Sequence, residues 1–110
     1  MPNIQKIESE MQRVLSYAMQ RDVKNPKLNF VTITAIEVTR DLSFANIYYT
    51  VYNSKRIESV QTALDKSKGY LKSIIAKEMK IRKIPELIFK YDESIAYGNK
   101  IESLLESLKK

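Results

Sequence analysis

The chain has 110 residues, 44% apolar and 29% charged, with 19 Lys and Arg against 13 Asp and Glu, a net charge of +6 and a pI near 9.5. That length fits one domain over residues 1–110, with a core large enough to fold without staples, and the absence of cysteine excludes disulfides, thiolate metal sites and cysteine nucleophiles. No run reaches the roughly 18 apolar residues of a membrane span and the start lacks the apolar stretch of a signal peptide, so a soluble protein of a reducing cytoplasm is expected.

Asn3 is placed to cap a first helix. Ile4, Ile7, Met11, Val14, Leu15, Ala18 and Met19 then form an apolar stripe at helical spacing to about Arg21. The opposite face carries both charge signs, which favours a core-facing helix over a membrane-surface one. Asn25-Pro26 is a turn signal. Val31 to Thr39 is rich in β-branched residues and reads as a strand, with a change of apolar phase between Ala35 and Ile36 that implies a bulge. Asp41-Leu42-Ser43 suits a reversal. Phe44 to Tyr52 then alternates, with Ala45, Ile47, Tyr49 and Val51 on one face, so the two strands should pair as an antiparallel hairpin. With the aliphatic set turned inward, Tyr48 and Tyr52 lie on the outer face. There they either stack on bases or simply suit a half-solvated sheet surface.

Asn53 to Arg56 reads as a polar loop, with Ser54 a candidate cap for the next helix. From Ile57 to Ile81 the residues Val60, Ala63, Leu64, Leu71, Ile74, Ile75 and Met79 share one helical face. Gly69 falls on the opposite face. A mid-helix glycine costs roughly 0.5–1 kcal/mol relative to alanine, and one that points away from the core is not explained by internal packing. Either the helix breaks at Lys68-Gly69, or another molecule's backbone comes close there. From Lys66 to Lys83 the charges are Lys66, Lys68, Lys72, Lys77, Lys80, Arg82 and Lys83 against Glu78 alone. Such a run is either a solvated helix face or a polyanion site, and the glycine within it favours the second.

Ile84-Pro85 is expected to stop this helix, because the residue before proline is pushed toward extended geometry. Leu87, Phe89 and Tyr91 alternate with Ile88, Lys90 and Asp92 in a third strand. Asp92 reads as a strand end and Ser94 as a cap. A last helix is expected from Asn99, with Ile101, Leu104, Leu105 and Leu108 on one side. The order helix, strand, strand, helix, kink, helix, strand, helix defines an α+β fold, one small sheet covered by helices. It is the layout of the type II KH domain, in which a glycine-containing junction between two helices clamps a nucleic-acid backbone. The sequence carries Lys66-Ser67-Lys68-Gly69 at that junction, with one glycine where a KH loop has two.

The stretch R-K-I-P-E-L-I-F-K-Y-D-E-S from Arg82 to Ser94 and K-G-Y-L-K-S from Lys68 to Ser73 resemble the ribosome-binding factor A family. So do V-T-I-T-A-I-E-V-T-R-D-L-S-F-A-N-I-Y-Y-T from Val31 to Thr50, the opening helix and the N-P-K-L turn at Asn25 to Leu28. The resemblance covers nearly the whole chain. It implies a KH-like factor that binds 16S rRNA in the immature small (30S) subunit near the 5′-terminal and decoding-region helices, assisting late rRNA processing and cold adaptation. It also aligns an Ala-x-Gly kink with Ser67, Lys68 and Gly69, and an arginine that follows the kink with Lys72. That exchange replaces a bidentate phosphate fork with a point charge. The long polar tail of some members is not expected.

Three function classes compete. An RNA-binding assembly factor would use Lys68, Gly69, Lys72, Lys80, Arg82 and Lys83, working by phosphate neutralisation and shape, as a monomer without cofactor or metal. The competing reading makes Gly69 a plain helix–helix turn, and makes Lys80, Arg82 and Lys83 favourable charges at a helix C-terminus. An enzyme is disfavoured: the chain has no His and no Cys, no phosphate-binding glycine loop and no metal-ligand spacing. A protein-interaction module would use the last helix as its apolar face.

Overall fold

A computed structural model describes residues 3–22 and 24–93. Helix α1 (Ile4–Gln20) begins at Asn3, whose side chain accepts the Lys6 N–H at 3.2 Å, and it buries Ile7, Met11, Val14, Leu15 and Met19. The Asn25-Pro26 turn opens a 3₁₀ turn (Pro26–Phe30) that fully buries Leu28. Strands β1 (Val31–Val38) and β2 (Phe44–Val51) form the expected antiparallel hairpin, with Ala45, Ile47, Tyr49 and Val51 buried. The bulge falls at Thr34, between Ile33 and Ala35, not after Ala35. The Thr34 hydroxyl donates to Asp92 Oδ2 at 2.6 Å, so the unpaired residue is held from the far side of the sheet.

The reversal places Leu42 at φ 61° with its side chain buried. The Thr39 hydroxyl accepts the N–H groups of Ser43 (3.1 Å) and Phe44 (3.0 Å) and bonds the Asp41 carboxylate at 2.9 Å. Hydrogen bonds from Ser43, then from Thr39, hold the Asp41 carboxyl down at about 2.

Residues 54–56 form a 3₁₀ turn, and the residue at the N-cap of α2 (Ile57–Lys66) is Arg56, not Ser54. The break lies at Ser67 (φ −93°, ψ 0°), one residue before the expected Lys68-Gly69 step. Helix α3 (Lys68–Glu78) stops at Met79, well short of Ile84-Pro85. Met79 turns extended and is buried, with Ile81 and Ile84 packed against the core beyond it. Alternating burial along this link outweighs the helical propensity of its residues. Lys80, Arg82 and Lys83 therefore sit on a non-helical link, bent at Arg82 and Lys83, and not on a helix end.

Strand β3 (Glu86–Tyr91) pairs parallel with β2, giving the sheet order β1-β2-β3. The buried residues make one cluster between the sheet and the helices. The expected last helix from Asn99, with Ile101, Leu104, Leu105 and Leu108, and the cap at Ser94 lie outside the described residues. Among the described residues no helix is long and apolar enough to cross a membrane.

One partly buried polar knot lies at the edge of the core. The Tyr49 hydroxyl donates to Gln61 Oε1, and Gln61 Nε2 donates to the Phe89 carbonyl at 3.1 Å. Tyr49 is fully buried, and burial, then the Asp65 charge, pushes its hydroxyl up to about 12. Because the folded value is raised, the associated stability is complete below about pH 10, the ordinary tyrosine value, and is lost as pH rises toward 12. Denaturant titrations should show that alkaline decline shrinking in Tyr49→Phe. Gln61→Leu, which strands the Tyr49 hydroxyl, should cost about 1–3 kcal/mol, and the double variant should recover part of that loss.

Candidate nucleic-acid interface

Ser67 closes α2 with its N–H shared between the carbonyls of Ala63 (3.0 Å) and Leu64 (3.1 Å), and its own carbonyl accepts Leu71 N–H at 2.9 Å to start α3. Lys68, Gly69 and Tyr70 thus carry the first N–H groups of a helix, which have no partner within it. No side chain caps this end and no acid stands in its first turn. Gly69 is exposed, its φ is not positive, and a Cβ added there would meet nothing within 4 Å. The protein's own packing and backbone do not require glycine. The notch is open, it presents the positive end of a helix dipole, and it suits a phosphate oxygen.

The predicted cations divide into two neighbouring groups. Lys68 lies 3.6 Å from Asp65, and Lys72 Nζ lies 2.6 Å from Glu86 Oε1. These are the two ion pairs found among the described residues, so the lysines flanking the glycine already have acidic neighbours. Both pairs are exposed, of a kind worth about 0.2–1 kcal/mol, which a phosphate contact can replace. The Lys72 hydrogen bond and charge, with help from Lys68, hold the Glu86 carboxyl below its usual range. Glu86 N–H bonds the Ser43 carbonyl at 2.9 Å, and Lys83 Nζ donates to Ser43 Oγ at 3.2 Å, which brings Lys83 to the same corner.

Lys80 and Arg82 face elsewhere. With Ile81, Leu42 and the start of α1, including Lys6, they line an open groove of about 780 Å³ that also contains Glu10 and Glu78. Leu42 and Ser43 are adjacent in the chain, so the two groups meet at the β1–β2 loop. Tyr48 is half-buried and Tyr52 is 97% exposed just beyond β2. Sequence reasoning missed Lys6, whose place opposite Arg82 depends on the packing of α1 against α3. It also missed Glu86, whose pairing with Lys72 is set by the start of β3.

The fold is a small α+β domain with an open, cation-fringed helix junction at one end of a three-stranded sheet. A family profile described as Ribosome-binding factor A matches residues 3–105, and the chain belongs to that family. It is 41% identical over 109 residues to a Lactobacillus johnsonii protein of that name, covering 97% of this chain and 89% of the relative. Its fold resembles the crystal structure of ribosome-binding factor A from Thermus thermophilus (TM-score 0.72, 22% identity, 82% of this chain and 97% of the other). It also resembles a homology model of the Thermus thermophilus protein as fitted into a cryo-EM map of a 30S–RbfA complex (TM-score 0.67, 23% identity, 80% and 93%).

If Lys68 and Lys72 serve a polyanion, Glu86 competes for them. Glu86→Gln should strengthen binding to a labelled RNA strand about two- to fivefold in low salt, with the thermal midpoint little changed. Unchanged or weaker binding, measured by filter retention, would remove Lys72 from the interface.

Proposed function

We propose that the protein binds the immature 30S subunit, seats a stretch of 16S rRNA backbone on the Ser67–Lys68–Gly69 junction and assists late rRNA processing. It acts as a cytoplasmic monomer, supports ribosome assembly in the cold, and works by binding without catalysis or cofactor. On this reading residues 1–110 form one type II KH-like domain, supported by the order α1-β1-β2-α2-α3-β3 and the break between α2 and α3. The observation that carries the reading is Gly69: an exposed glycine in the first turn of a helix, facing open space, with lysines on either side. The relative fitted into a 30S complex supplies the class of partner.

Roles follow from position. The α3 N-terminus and Gly69 admit a phosphate to backbone distance, while Lys68 and Lys72 neutralise it. Lys83 extends the positive corner along Ser43, and Lys80 and Arg82 hold a flanking strand or helix of the RNA over the second groove. Selectivity comes from the shape of a folded rRNA junction more than from base edges.

Lys68→Glu with Lys72→Glu should leave the thermal transition cooperative and abolish co-sedimentation with small-subunit precursors; a folded double variant that still sediments would count against the site. Gly69→Val should change stability by less than about 1 kcal/mol, since the added side chain meets no atom, yet weaken precursor binding at least tenfold. Loss of the cooperative transition would instead make Gly69 a folding residue.

A further inference from the structure

A second groove runs along α2 on the N-terminal side of the Ser67 break. Ser59, Thr62 and Lys66 line it from α2, Asn25 and Lys27 face them from the 3₁₀ turn, and together they border about 320 Å³. No carboxylate lines it, and neither Lys27 nor Lys66 is ion-paired among the described residues. At one end stands Phe30, 42% exposed, with the Arg56 guanidinium 4.8 Å from its ring centre. Positions three apart eclipse in a 3₁₀ turn, so Lys27 and Phe30 project to the same side. The turn is held in place, because Asn29 Nδ2 donates to the Met19 carbonyl at 2.6 Å and Leu28 is fully buried. At the other end is Lys66, with Gly69 three residues further on.

We propose that single-stranded RNA leaving the Gly69 notch continues along this groove, with phosphates at Lys66 and Lys27 and a base stacked on the Arg56–Phe30 pair. The inference rests on the reading of the notch as a backbone seat. Three features favour a single strand of RNA. A guanidinium lying over a ring offers a flat cationic face on which a nucleobase stacks, whereas a carboxylate is held only at the guanidinium's edge. The spacing of Ser59 and Lys66 along α2, about 10 Å, gives an extended track and not a point site. The hydroxyls supply the third. Ser59 Oγ donates to the Arg56 carbonyl (3.1 Å) and Thr62 Oγ1 to the Glu58 carbonyl (3.0 Å). With their protons so committed, both oxygens are left as acceptors on residues that line the groove. An acceptor suits the donor hydroxyl of ribose, which DNA lacks, and does not suit a phosphate oxygen.

The test uses the full chain and a labelled 12-nucleotide single strand of mixed sequence, as RNA and as DNA, followed by fluorescence anisotropy across a salt series. Wild-type protein should bind the RNA more tightly. Lys27→Ala with Lys66→Ala should lower the slope of log K against log salt by about 1.4, the value for two phosphate contacts on a single strand. Phe30→Leu, which keeps an apolar side chain, should weaken binding about tenfold. Ser59→Ala with Thr62→Val should bring RNA affinity down to that of DNA and leave DNA binding unchanged. Wild-type affinity and slope in these variants, while Lys68→Glu with Lys72→Glu loses precursor particles, would overturn the groove and leave the notch standing. Normal oligonucleotide binding with lost particle association would overturn it too, marking the groove as a protein contact. Failure of the wild-type chain to bind the RNA strand would also overturn it, whereas particle sedimentation separately decides the notch.

Discussion

The parallel pairing of β3 on β2 is the constraint from which the rest of the site follows. Glu86 must start beside Phe44, at the opposite end of β2 from Val51, where the chain leaves the hairpin. The return distance along the strand is roughly 23 Å at 3.3 Å per residue. A 10-residue and an 11-residue helix in line through Ser67 would reach roughly 33 Å and overshoot. The break at Ser67 and the bent link from Met79 to Pro85 absorb that difference. The break exposes the α3 N-terminus at Gly69, and the link carries Lys80, Arg82 and Lys83 past the β1–β2 loop. A topological demand of the sheet thus produces both parts of the candidate interface.

The electrostatics of that interface are those of a surface held ready. Its ion pairs are exposed, so each contributes little to the fold and yields readily to a stronger anion. Lys72 pairs with Glu86 and Lys68 lies near Asp65, so a polyanion at the notch has only weak acidic competitors to displace. The buried polar chemistry is kept apart from this surface. Tyr49, Gln61 and the Phe89 carbonyl join α2 to the sheet from within, where leaving one partner unpaired is expensive, while every proposed RNA contact lies where water can replace it.

Local chemistry settled much of the architecture. The stripe of α1, the capping by Asn3, the hairpin and its inward face, and the alternation of β3 all follow from periods of 3.6 and 2 and from short-range turn residues. Gly69 stood out for the same reason, since a glycine on the polar face of a helical pattern breaks a local rule wherever the chain folds. Where local signals were weak they misled. Pro85 suggested a helix running on to Ile84, whereas the buried side chain of Met79 and the packing of Ile81 and Ile84 turned the chain extended at residue 79.

Residues distant in sequence could be brought together only by the tertiary structure. The direction of β3, the meeting of Lys72 with Glu86 and of Lys83 with Ser43, and the facing of Lys27 toward Lys66 all depend on how the helices lie on the sheet. Periodicity tells which side of an element is buried but not which neighbour covers it. The sequence by itself therefore determined the described elements apart from the end of α3, their inward faces and the family; packing alone decided which cations share a surface and that the notch beside Gly69 stays open.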